Sequence, residues 1–369
     1  MRILSIVGAR PNFVKIAPII HALGQHEGRF VQKLVHTGQH YDDRMSAIFF
    51  HELKLPTPDV NLGVGSGSHA QQTAAVMVKL EPVLQEFVPD LVIVVGDVNS
   101  TLAATLTAKK LGISVAHVEA GLRSFDMTMP EEINRLCTDA IADLLFTTDR
   151  LADQNLLREG VAADRIHFVG NVMIDSLLAC REVADKERIY ERLGLLPKAY
   201  ATLTLHRPSN VESPEVLETI LTALSNSVGD LPIVFPCHPR TRQRVKDYGF
   251  ERFFTDRPVG QGIWMTEPMG YVDFLSLNMY ARLALTDSGG VQEETTILGV
   301  PCVTLRKNTE RPITVSEGTN RLGGVTRQSI VGAVQAALAD VQTDVRRPER
   351  WDGQAAARII EIIAARTRA

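Results

Sequence analysis

The sequence has neither a long apolar run nor an excess of charge of one sign. No apolar run approaches the roughly 18 residues of a membrane-spanning helix, and the apolar start Ile3 to Val7 ends at once in Gly-Ala-Arg-Pro. The net charge is -4 over 369 residues without long charged blocks. The sequence therefore shows no basic segment that would indicate binding to nucleic acid or to an anionic membrane surface. We therefore expect a cytoplasmic protein that meets a polyanionic ligand with individually placed Arg and Lys side chains.

Paired cysteines and several catalytic motifs are also missing. The four cysteines, Cys137, Cys180, Cys237 and Cys302, are far apart and lie in apolar contexts, so we expect reduced, structural thiols. There is no Gly-Lys-Ser/Thr phosphate loop, no His-Glu-x-x-His and no Gly-x-Ser-x-Gly, which removes support for nucleotide cleavage, metal hydrolysis and serine acyl chemistry. Residues 63–67 contain glycines but lack the third glycine at the spacing that the dinucleotide-binding motif Gly-x-Gly-x-x-Gly requires. We therefore predict a loop there.

The sequence does contain a regular alternation of short apolar runs with helical patterns, which predicts parallel sheets with crossover helices. The length suits two domains, and 45% hydrophobic residues suffice for two cores. The predicted strands of the first sheet are Ile3–Val7, Leu34–His36, Leu91–Val95, Val115–Val118, Leu144–Thr147 and Ile166–Val169. Those of the second sheet are Ala201–Leu205, Ile233–Phe235, Ile263–Met265, Leu283–Thr286 and Cys302–Leu305. The predicted fold class is α/β, with two doubly wound, Rossmann-like domains facing a cleft.

The charged segment Glu182 to Leu195, followed by Pro197, predicts a linker. We expect an N-terminal domain over residues 1–180, a C-terminal domain over residues 196–350 and a last helix over residues 353–369. The apolar face of that helix consists of Ala356, Ile359, Ile360 and Ile363. Such a face has to pack on another element.

Ligands of doubly wound sheets bind at the carboxyl ends of the strands, so the residues after each strand are the candidates for a site. The ionisable residues at these positions are Arg10, Lys15, His40, Asp97, Glu119, Arg123, His206 and Arg207. Two structural alternatives remain: Asp97 or Ser100 would cap the following helix, and Glu119 would pair with Arg123. The convergence of several such groups on one sheet edge favours a functional site.

Two helix starts carry further candidates. Pro130 fits the first position of a helix, and Glu131 and Glu132 suit its first turn, where the helix dipole favours acids. In the functional interpretation, a loop ends by presenting Glu131 toward the cleft.

The stretch from Thr286 to Glu294 reads as the end of a buried strand, a tight turn at Ser288, Gly289 and Gly290, and a helix start. Paired glycines let backbone N–H groups approach an anion such as a diphosphate. Glu294, one turn into the helix, would accept hydrogen bonds from a sugar diol. A plain helix cap is the structural alternative.

These motifs, in order from the first strand to about Gly323, resemble those of the non-hydrolysing UDP-N-acetylglucosamine 2-epimerases. The matching residues are Gly8-Ala9-Arg10-Pro11 with Lys15, Gly96-Asp97, His117-Val118-Glu119-Ala120-Gly121-Leu122-Arg123, Pro130-Glu131-Glu132 with Asn134-Arg135, Leu205-His206-Arg207, Thr286-Asp287-Ser288-Gly289-Gly290 with Gln292-Glu293-Glu294, and Thr309-Glu310-Arg311-Pro312. The resemblance implies the GT-B fold, with the final helix packing back on the first domain. It also implies a homodimer and a reaction that needs neither metal nor nicotinamide.

The resemblance further implies roles for individual residues. The positions that match catalytic carboxylates are Asp97, Glu119 and Glu131, and the division into base and acid stays open. Those that match substrate-holding or charge-stabilising positions are Arg10, Lys15, His206, Arg207 and Arg311. Ser288, Gly289 and Gly290 would cradle the diphosphate of UDP, and Glu294 would bind the ribose.

Three features depart from the commonest family pattern: Ala9, Val98-Asn99-Ser100, and a loop before Pro130 that is shorter and has no tryptophan. These departures resemble the subgroup that includes 2-epimerases of UDP-2,3-diacetamido uronic acids. The leading hypothesis is reversible 2-epimerisation of UDP-N-acetylglucosamine, and that uronate is the first alternative. A GT-B glycosyltransferase and a nucleotide-sugar binding protein without turnover are alternatives of other classes.

Overall fold

The computed structural model describes residues 1–26, 28–38, 43–257, 262–340 and 347–366, and the side chains of residues 10 and 43–47 lie outside this description. The chain divides into two compact units. The first comprises Met1–Ala179 and Glu349–Ala369, and the second comprises Cys180–Pro348.

The first unit contains a parallel sheet with helices between its strands. Its strands are β1 (Arg2–Val7), β2 (Val31–His36), β3 (Val60–Asn61), β4 (Leu91–Val95), β5 (Ser114–Ala120), β6 (Leu144–Thr147) and β7 (Ile166–Phe168). Its helices up to the unit boundary are α1 (Arg10–Gly24), α2 (Asp43–Glu52), α3 (His69–Phe87), α4 (Asn99–Lys110), α5 (Pro130–Ile141), α6 (Arg150–Arg158) and α7 (Val172–Glu187), the last of which continues past Ala179. All residues of β4 are buried, as expected for a central strand covered on both faces.

The second unit repeats this plan. Its strands are β8 (Ala201–Thr204), β9 (Pro232–Pro236), β10 (Phe254–Thr255), β11 (Gly262–Thr266), β12 (Leu283–Thr286), β13 (Cys302–Thr304) and β14 (Asn320–Leu322). Its helices are α8 (Ile189–Arg192), α9 (Pro208–Val211), α10 (Pro214–Ser227), α11 (Pro239–Asp247), α12 (Tyr271–Met279), α13 (Gly289–Leu298), α14 (Ile313–Ser316) and α15 (Arg327–Ala339). A last helix, α16 (Ala355–Arg366), returns to the first unit.

The strand order places the loops that matter for function. The orders are β3-β2-β1-β4-β5-β6-β7 and β10-β11-β9-β8-β12-β13-β14, and the observed pairings are parallel. The side on which the chain adds successive strands therefore switches between β1 and β4 in the first sheet and between β8 and β12 in the second. Crevices at such switch points are where ligands of doubly wound sheets bind. The predicted α/β class with two Rossmann-like sheets is confirmed.

Every strand expected from sequence is present, and three further strands were missed. These are β3, β10 and β14, which have two or three residues and lie at sheet edges. Strands this short show no periodicity, so apolar patterning does not detect them. Residues 63–67 form a loop, as expected.

The segment expected to be the linker packs into the second unit. Ile189, Tyr190 and Leu195 are buried in a core cluster there. In the first unit, α16 buries Ala356, Ile359, Ile360 and Ile363. Its first N–H groups donate to Asp175 of α7, over 3.2 Å from Ala355 and 2.7 Å from Ala356.

The four thiols are free. Cys180, Cys237 and Cys302 are buried, and burial raises the pKa of Cys237 and of Cys302 to about 12. Cys137 is exposed on α5, so the expected apolar setting is wrong for this residue. No helix in the described part of the chain is both long and apolar enough to cross a membrane.

Candidate functional site

Glu119 occupies a strained position in the first sheet. The register between β5 and β6 shifts at Val118 and Ala120, which forms a bulge, and Glu119 in that bulge has φ 74°. The left-handed region costs a non-glycine residue about 1–2 kcal/mol. The side chain is also buried, with 3% of Glu119 exposed. Strain and a buried acid at one residue favour a functional role over a packing role.

The partner of Glu119 is Lys15 of α1. Their side chains form a buried ion pair in which Lys15 Nζ contacts Glu119 Oε2. Arg123 instead contacts Asp139 and Glu159, so the alternative that Glu119 pairs with Arg123 is wrong. The pair places a carboxylate and an amine side chain together in a buried setting.

Gly96, at the end of β4, leaves room for this pair. It has φ 65°, and a Cβ there would lie 2.8 Å from Lys15 Nζ and 3.4 Å from Glu119 Oε2. Arg10 is the first residue of α1. Its side chain lies outside the described residues, and its role stays a prediction.

Asp97 follows Gly96 and contacts α5. Its carboxylate pairs with Arg135 Nη1, and its carbonyl accepts from Asn134 Nδ2 over 2.8 Å. Helix α4 begins after Val98, which provides the cap position without a side-chain bond, and Ser100 Oγ lies 2.8 Å from Thr37 Oγ1. The alternative that Asp97 or Ser100 caps α4 is therefore wrong.

The two adjacent acids of α5 differ in their surroundings. Glu132 is buried and accepts from Ser124 N and Oγ over 2.9 Å each, and from Arg135 Nη2 over 2.7 Å. Burial alone would raise the pKa of Glu132, but Arg135 and Ser124 outweigh it and lower the pKa below its usual range. Glu131 is only half-buried. Glu132 thus holds the preceding loop, and Glu131 stays the candidate for chemistry.

Asp287 organises the switch point of the second sheet. It is fully buried and accepts from the N–H groups of His206 and Arg207, over 3.0 and 2.9 Å, and from Asn210 Nδ2 over 3.2 Å. Burial would raise the pKa of Asp287, but these donors and the His206 ring hold it below its usual range.

The ring of His206 is oriented by the same carboxylate. Its Nδ1 lies 2.8 Å from Asp287 Oδ1, while the side chain is 50% exposed. A carboxylate partner places the proton on Nδ1. Nε2 is then the ring nitrogen that carries the lone pair.

The predicted strand, turn and helix around Ser288 are confirmed, since β12 ends at Thr286 and α13 begins at Gly289. Ser288 occupies the N-cap position of α13, but its side chain makes no capping hydrogen bond. The alternative of a plain side-chain cap therefore does not hold for its hydroxyl. Gly290, half-buried, follows Gly289 in the first turn, where backbone N–H groups point out of the helix.

A cluster of arginines lies against this turn. A Cβ on Gly289 would lie 2.3 Å from Arg311 Nη1, so glycine is what admits the guanidinium. The other contacts of the cluster are Arg311 Nε to Glu293 (2.8 Å), Arg311 Nη1 to Glu310 (2.7 Å), Arg306 Nη1 to Glu310 (2.8 Å) and Arg207 Nη2 to Glu310 (3.4 Å). Three arginines thus gather beside a helix start, a setting that suits a phosphate group.

Glu294 lies deeper in the same helix, 4% exposed, and pairs with Tyr271 of α12. Burial raises the pKa of Glu294 to about 7, and the neighbouring Glu293 adds to this, while the Tyr271 hydrogen bond acts in the opposite direction. Glu294 can therefore change its charge near neutral pH. Among the described residues, no group of three or more His, Cys, Asp and Glu side chains is placed to hold a metal ion.

Sequence reasoning missed several partners in these clusters. Arg135, Asp139 and Tyr271 hold site residues but were not proposed for the site. Arg135 stood in a motif that matched the family, and its spacing of three from the acid Glu132 on α5 was a further local signal. The remaining contacts join residues far apart in the chain.

Fold and site together define a class: an enzyme with two Rossmann-like units, a buried acid near one sheet switch point and a glycine turn at a helix start at the other. The family model for UDP-N-acetylglucosamine 2-epimerase matches residues 21–364, and the chain belongs to this epimerase family. The resemblance drawn from its motifs is thereby confirmed, as is its GT-B fold class.

Relatives and solved structures match over nearly the whole chain. The UDP-N-acetylglucosamine 2-epimerase of Methanocaldococcus jannaschii is 42% identical, over 98% of this chain and 99% of the relative. A UDP-2,3-diacetamido-2,3-dideoxy-D-glucuronate 2-epimerase of Pseudomonas aeruginosa is 40% identical, over 99% of both chains. The crystal structure of the M. jannaschii enzyme with UDP-GlcNAc and UDP has a TM-score of 0.92, covering 99% of this chain and 100% of that one.

The geometry at Gly96 gives a stability prediction. In Gly96→Ala the new Cβ displaces the Lys15 ammonium and separates a buried ion pair, which is strongly destabilising. Gly112→Ala is the matched control, because Gly112 has φ 73° with nothing within 4 Å of the added Cβ. In urea unfolding, we expect a loss of about 1–2 kcal/mol for the control and a clearly larger loss for Gly96→Ala. Equal losses would show that Gly96 does not protect the pair.

Proposed function

We propose that this protein interconverts UDP-N-acetylglucosamine and UDP-N-acetylmannosamine by inverting carbon 2 of the sugar. The observation that carries the proposal is the buried Lys15–Glu119 pair at a strained bulge, in a chain that belongs to the epimerase family over residues 21–364. The M. jannaschii relative, whose crystal structure contains UDP-GlcNAc and UDP, supports the choice of substrate.

The reaction is an elimination followed by a re-addition. A base removes the proton from carbon 2 while the bond from carbon 1 to the UDP oxygen breaks, giving 2-acetamidoglucal and UDP. A proton then reaches carbon 2 from the opposite face, and UDP adds back to carbon 1. Atoms and electrons balance without an oxidant or a cofactor.

The carboxylates of the first unit are assigned to the proton transfers. Asp97, Glu119 and Glu131 are the candidates, because positioned and desolvated acids are needed for so weak a carbon acid. Lys15 and Arg10 would offset the charge that develops on the sugar.

Residues of the second unit are assigned to UDP. Ser288, Gly289 and Gly290 would hold the diphosphate through backbone N–H groups, and Arg207, His206 and Arg311 would stabilise its charge as it leaves. Glu294 would accept from the ribose hydroxyls. Keeping UDP bound after the elimination is what allows re-addition, and so an epimerase outcome instead of hydrolysis.

A related uronate substrate is the second candidate, because the P. aeruginosa relative that acts on UDP-2,3-diacetamido-2,3-dideoxy-D-glucuronate is 40% identical. The same residues would perform the same elimination on that sugar. We also infer that the enzyme works in the cytoplasm, in keeping with its free thiols, and that it forms a homodimer, which the family resemblance suggests and light scattering can measure.

The substrate proposal predicts a defined isotope result. Incubated with UDP-N-acetylglucosamine in deuterated water without an acceptor, the protein should produce the manno epimer with deuterium at carbon 2, followed by NMR. A parallel reaction with the UDP-diacetamido uronate compares the two sugars by kcat/KM. Turnover of the uronate alone would replace the lead substrate, and no exchange with either sugar would refute the epimerase proposal.

The assignment of Glu119 predicts a separation of catalysis from binding. Glu119→Gln removes a proton acceptor of the first unit, so kcat should fall by roughly 10²-fold or more. The affinity for UDP, measured by calorimetry, should stay near that of the wild type because UDP is assigned to the second unit. Glu86→Gln, an exposed acid on α3, is the control and should keep full activity. A near-normal rate in Glu119→Gln would remove this residue from the chemistry.

The raised pKa of Glu294 predicts that UDP binding depends on pH. Above about 7 the carboxylate is ionised and would accept from the ribose hydroxyls, and below it the protonated form would accept less well. We expect the affinity to fall by up to about tenfold per pH unit below the pKa. In Tyr271→Phe the midpoint should move to higher pH, because the Tyr271 bond lowers this pKa. The phosphate of UDP titrates as well, and Glu294→Gln is the control that shows this contribution alone. Identical pH profiles of UDP affinity in the wild type and in Glu294→Gln would contradict the ribose role.

A further inference from the structure

The bulge that carries Glu119 is held on both sides by one carboxylate of α5. Asp139 is 1% exposed. Its Oδ1 lies 2.6 Å from His117 Nδ1, and its Oδ2 accepts from Gly121 N over 3.0 Å. His117 and Gly121 are the residues two before and two after Glu119. A single side chain therefore spans the strained residue.

Asp139 is itself held by a charged partner. Arg123 Nη1 lies 2.7 Å from Asp139 Oδ2. The same guanidinium donates to the Glu159 carboxylate, over 2.8 Å from Nε and 2.6 Å from Nη2. Burial would raise the pKa of Asp139, but His117 and Arg123 outweigh it and hold this pKa below its usual range. The carboxylate is therefore ionised at neutral pH, which gives it the full acceptor strength that its three donors require.

The second nitrogen of His117 extends the contacts to the neighbouring loop. His117 Nε2 lies 2.8 Å from the carbonyl of Gly96, which can only accept, so Nε2 donates. Gly96 immediately precedes Asp97 and adjoins the Lys15–Glu119 pair. Asp139 thus reaches, directly or through His117, the backbone next to two of the three candidate carboxylates.

Strain makes these contacts more than ordinary core packing. A non-glycine residue stays in the left-handed region only where its surroundings impose that conformation. At Glu119 the imposing groups are the hydrogen bonds on either side, because β6 pairs with Val118 and Ala120 but skips the residue between them. Without Asp139, the strand has less to prevent it from relaxing and rotating Glu119 away from Lys15.

We propose that Asp139 is a positioning residue for the epimerisation, which clamps the β5 bulge through His117 and Gly121 and so fixes the direction of the Glu119 carboxylate. This inference rests on the proposed function of Glu119 in the proton transfer. Asp139 touches no substrate in this scheme and acts through Glu119 alone.

The test compares three variants with matched chemistry. Asp139→Ala removes the clamp. Asp139→Asn keeps it without the charge, because the amide has nearly the shape of the carboxylate and its oxygen can still accept from Gly121 and Arg123. Asp143→Ala is the control, since Asp143 also accepts from a cation, Lys109 over 2.7 Å, and from a β5 backbone N–H, Val115 over 2.8 Å. That N–H is four residues from Glu119.

In Asp139→Ala we expect kcat to fall by about 10- to 100-fold, as for a catalytic group displaced by about 1 Å, with KM and UDP affinity nearly unchanged. Asp139→Asn should recover most of that loss, and Asp143→Ala should keep a near-normal kcat even where it unfolds at lower urea. Equal kcat losses in Asp139→Ala and Asp143→Ala, or an Asp139→Asn as impaired as Asp139→Ala, would overturn the clamp.

A crystal structure of Asp139→Ala tests the clamp without reference to any substrate. Residue 119 should leave the positive-φ region, and a φ that stays near 74° would refute the proposal even if the enzyme proves to act on another sugar. Should this variant fail to fold, Asp139→Ser, which leaves one short hydroxyl, gives the same comparison. Failure of the wild-type protein to exchange carbon 2 would instead refute the epimerase function and leave the structural result to decide the clamp.

Discussion

The first unit depends on one constraint: a glutamate held in a left-handed conformation in the middle of a strand. Glu119 is buried, faces Lys15 and sits where β6 skips a residue. A regular strand would send this side chain to one face of the sheet at the ordinary period of two. The bulge changes its direction and places it beside the loop after β4. A side chain on Gly96 would displace the Lys15 side chain, because its Cβ would lie 2.8 Å from Lys15 Nζ.

Several donors and a lowered pKa mark three of the acids as structural. Glu132, Asp139 and Asp287 are buried, each accepts from several donors, and the pKa of each is held low. Such carboxylates stay ionised and rigid, which suits an anchor and not a group that must take up and release a proton. Asp97 and Glu131 are more exposed and are therefore better placed to exchange protons with a ligand.

The sequence predicted the sheets, the strand ends and the candidate residues, because all three follow from local patterns. Apolar runs mark the buried strands, and the rule that ligands bind at carboxyl ends selects Asp97, Glu119 and His206. The sequence did not predict which charged side chains these residues contact. Glu119 was paired in one alternative with Arg123, four residues away, whereas the structure pairs it with Lys15, more than a hundred residues earlier. Such choices depend on register and helix packing, which neighbouring residues do not encode. The edge strands β3, β10 and β14 were too short for any periodicity to show.

The charges of the first unit bear on the choice between the two sugars. A uronate carries a carboxylate that N-acetylglucosamine lacks, and its recognition calls for a cation with charge to spare. Among the described side chains near the candidate acids, Lys15 faces Glu119, Arg135 faces both Asp97 and Glu132, and Arg123 faces both Asp139 and Glu159. Each of these cations is matched or outnumbered by carboxylates. A second anionic group on the sugar would have to compete with them, whereas the neutral hydroxymethyl and acetamido groups of UDP-N-acetylglucosamine would not. This balance counts the described side chains alone and leaves out Arg10, and on that count it favours the neutral sugar as the substrate.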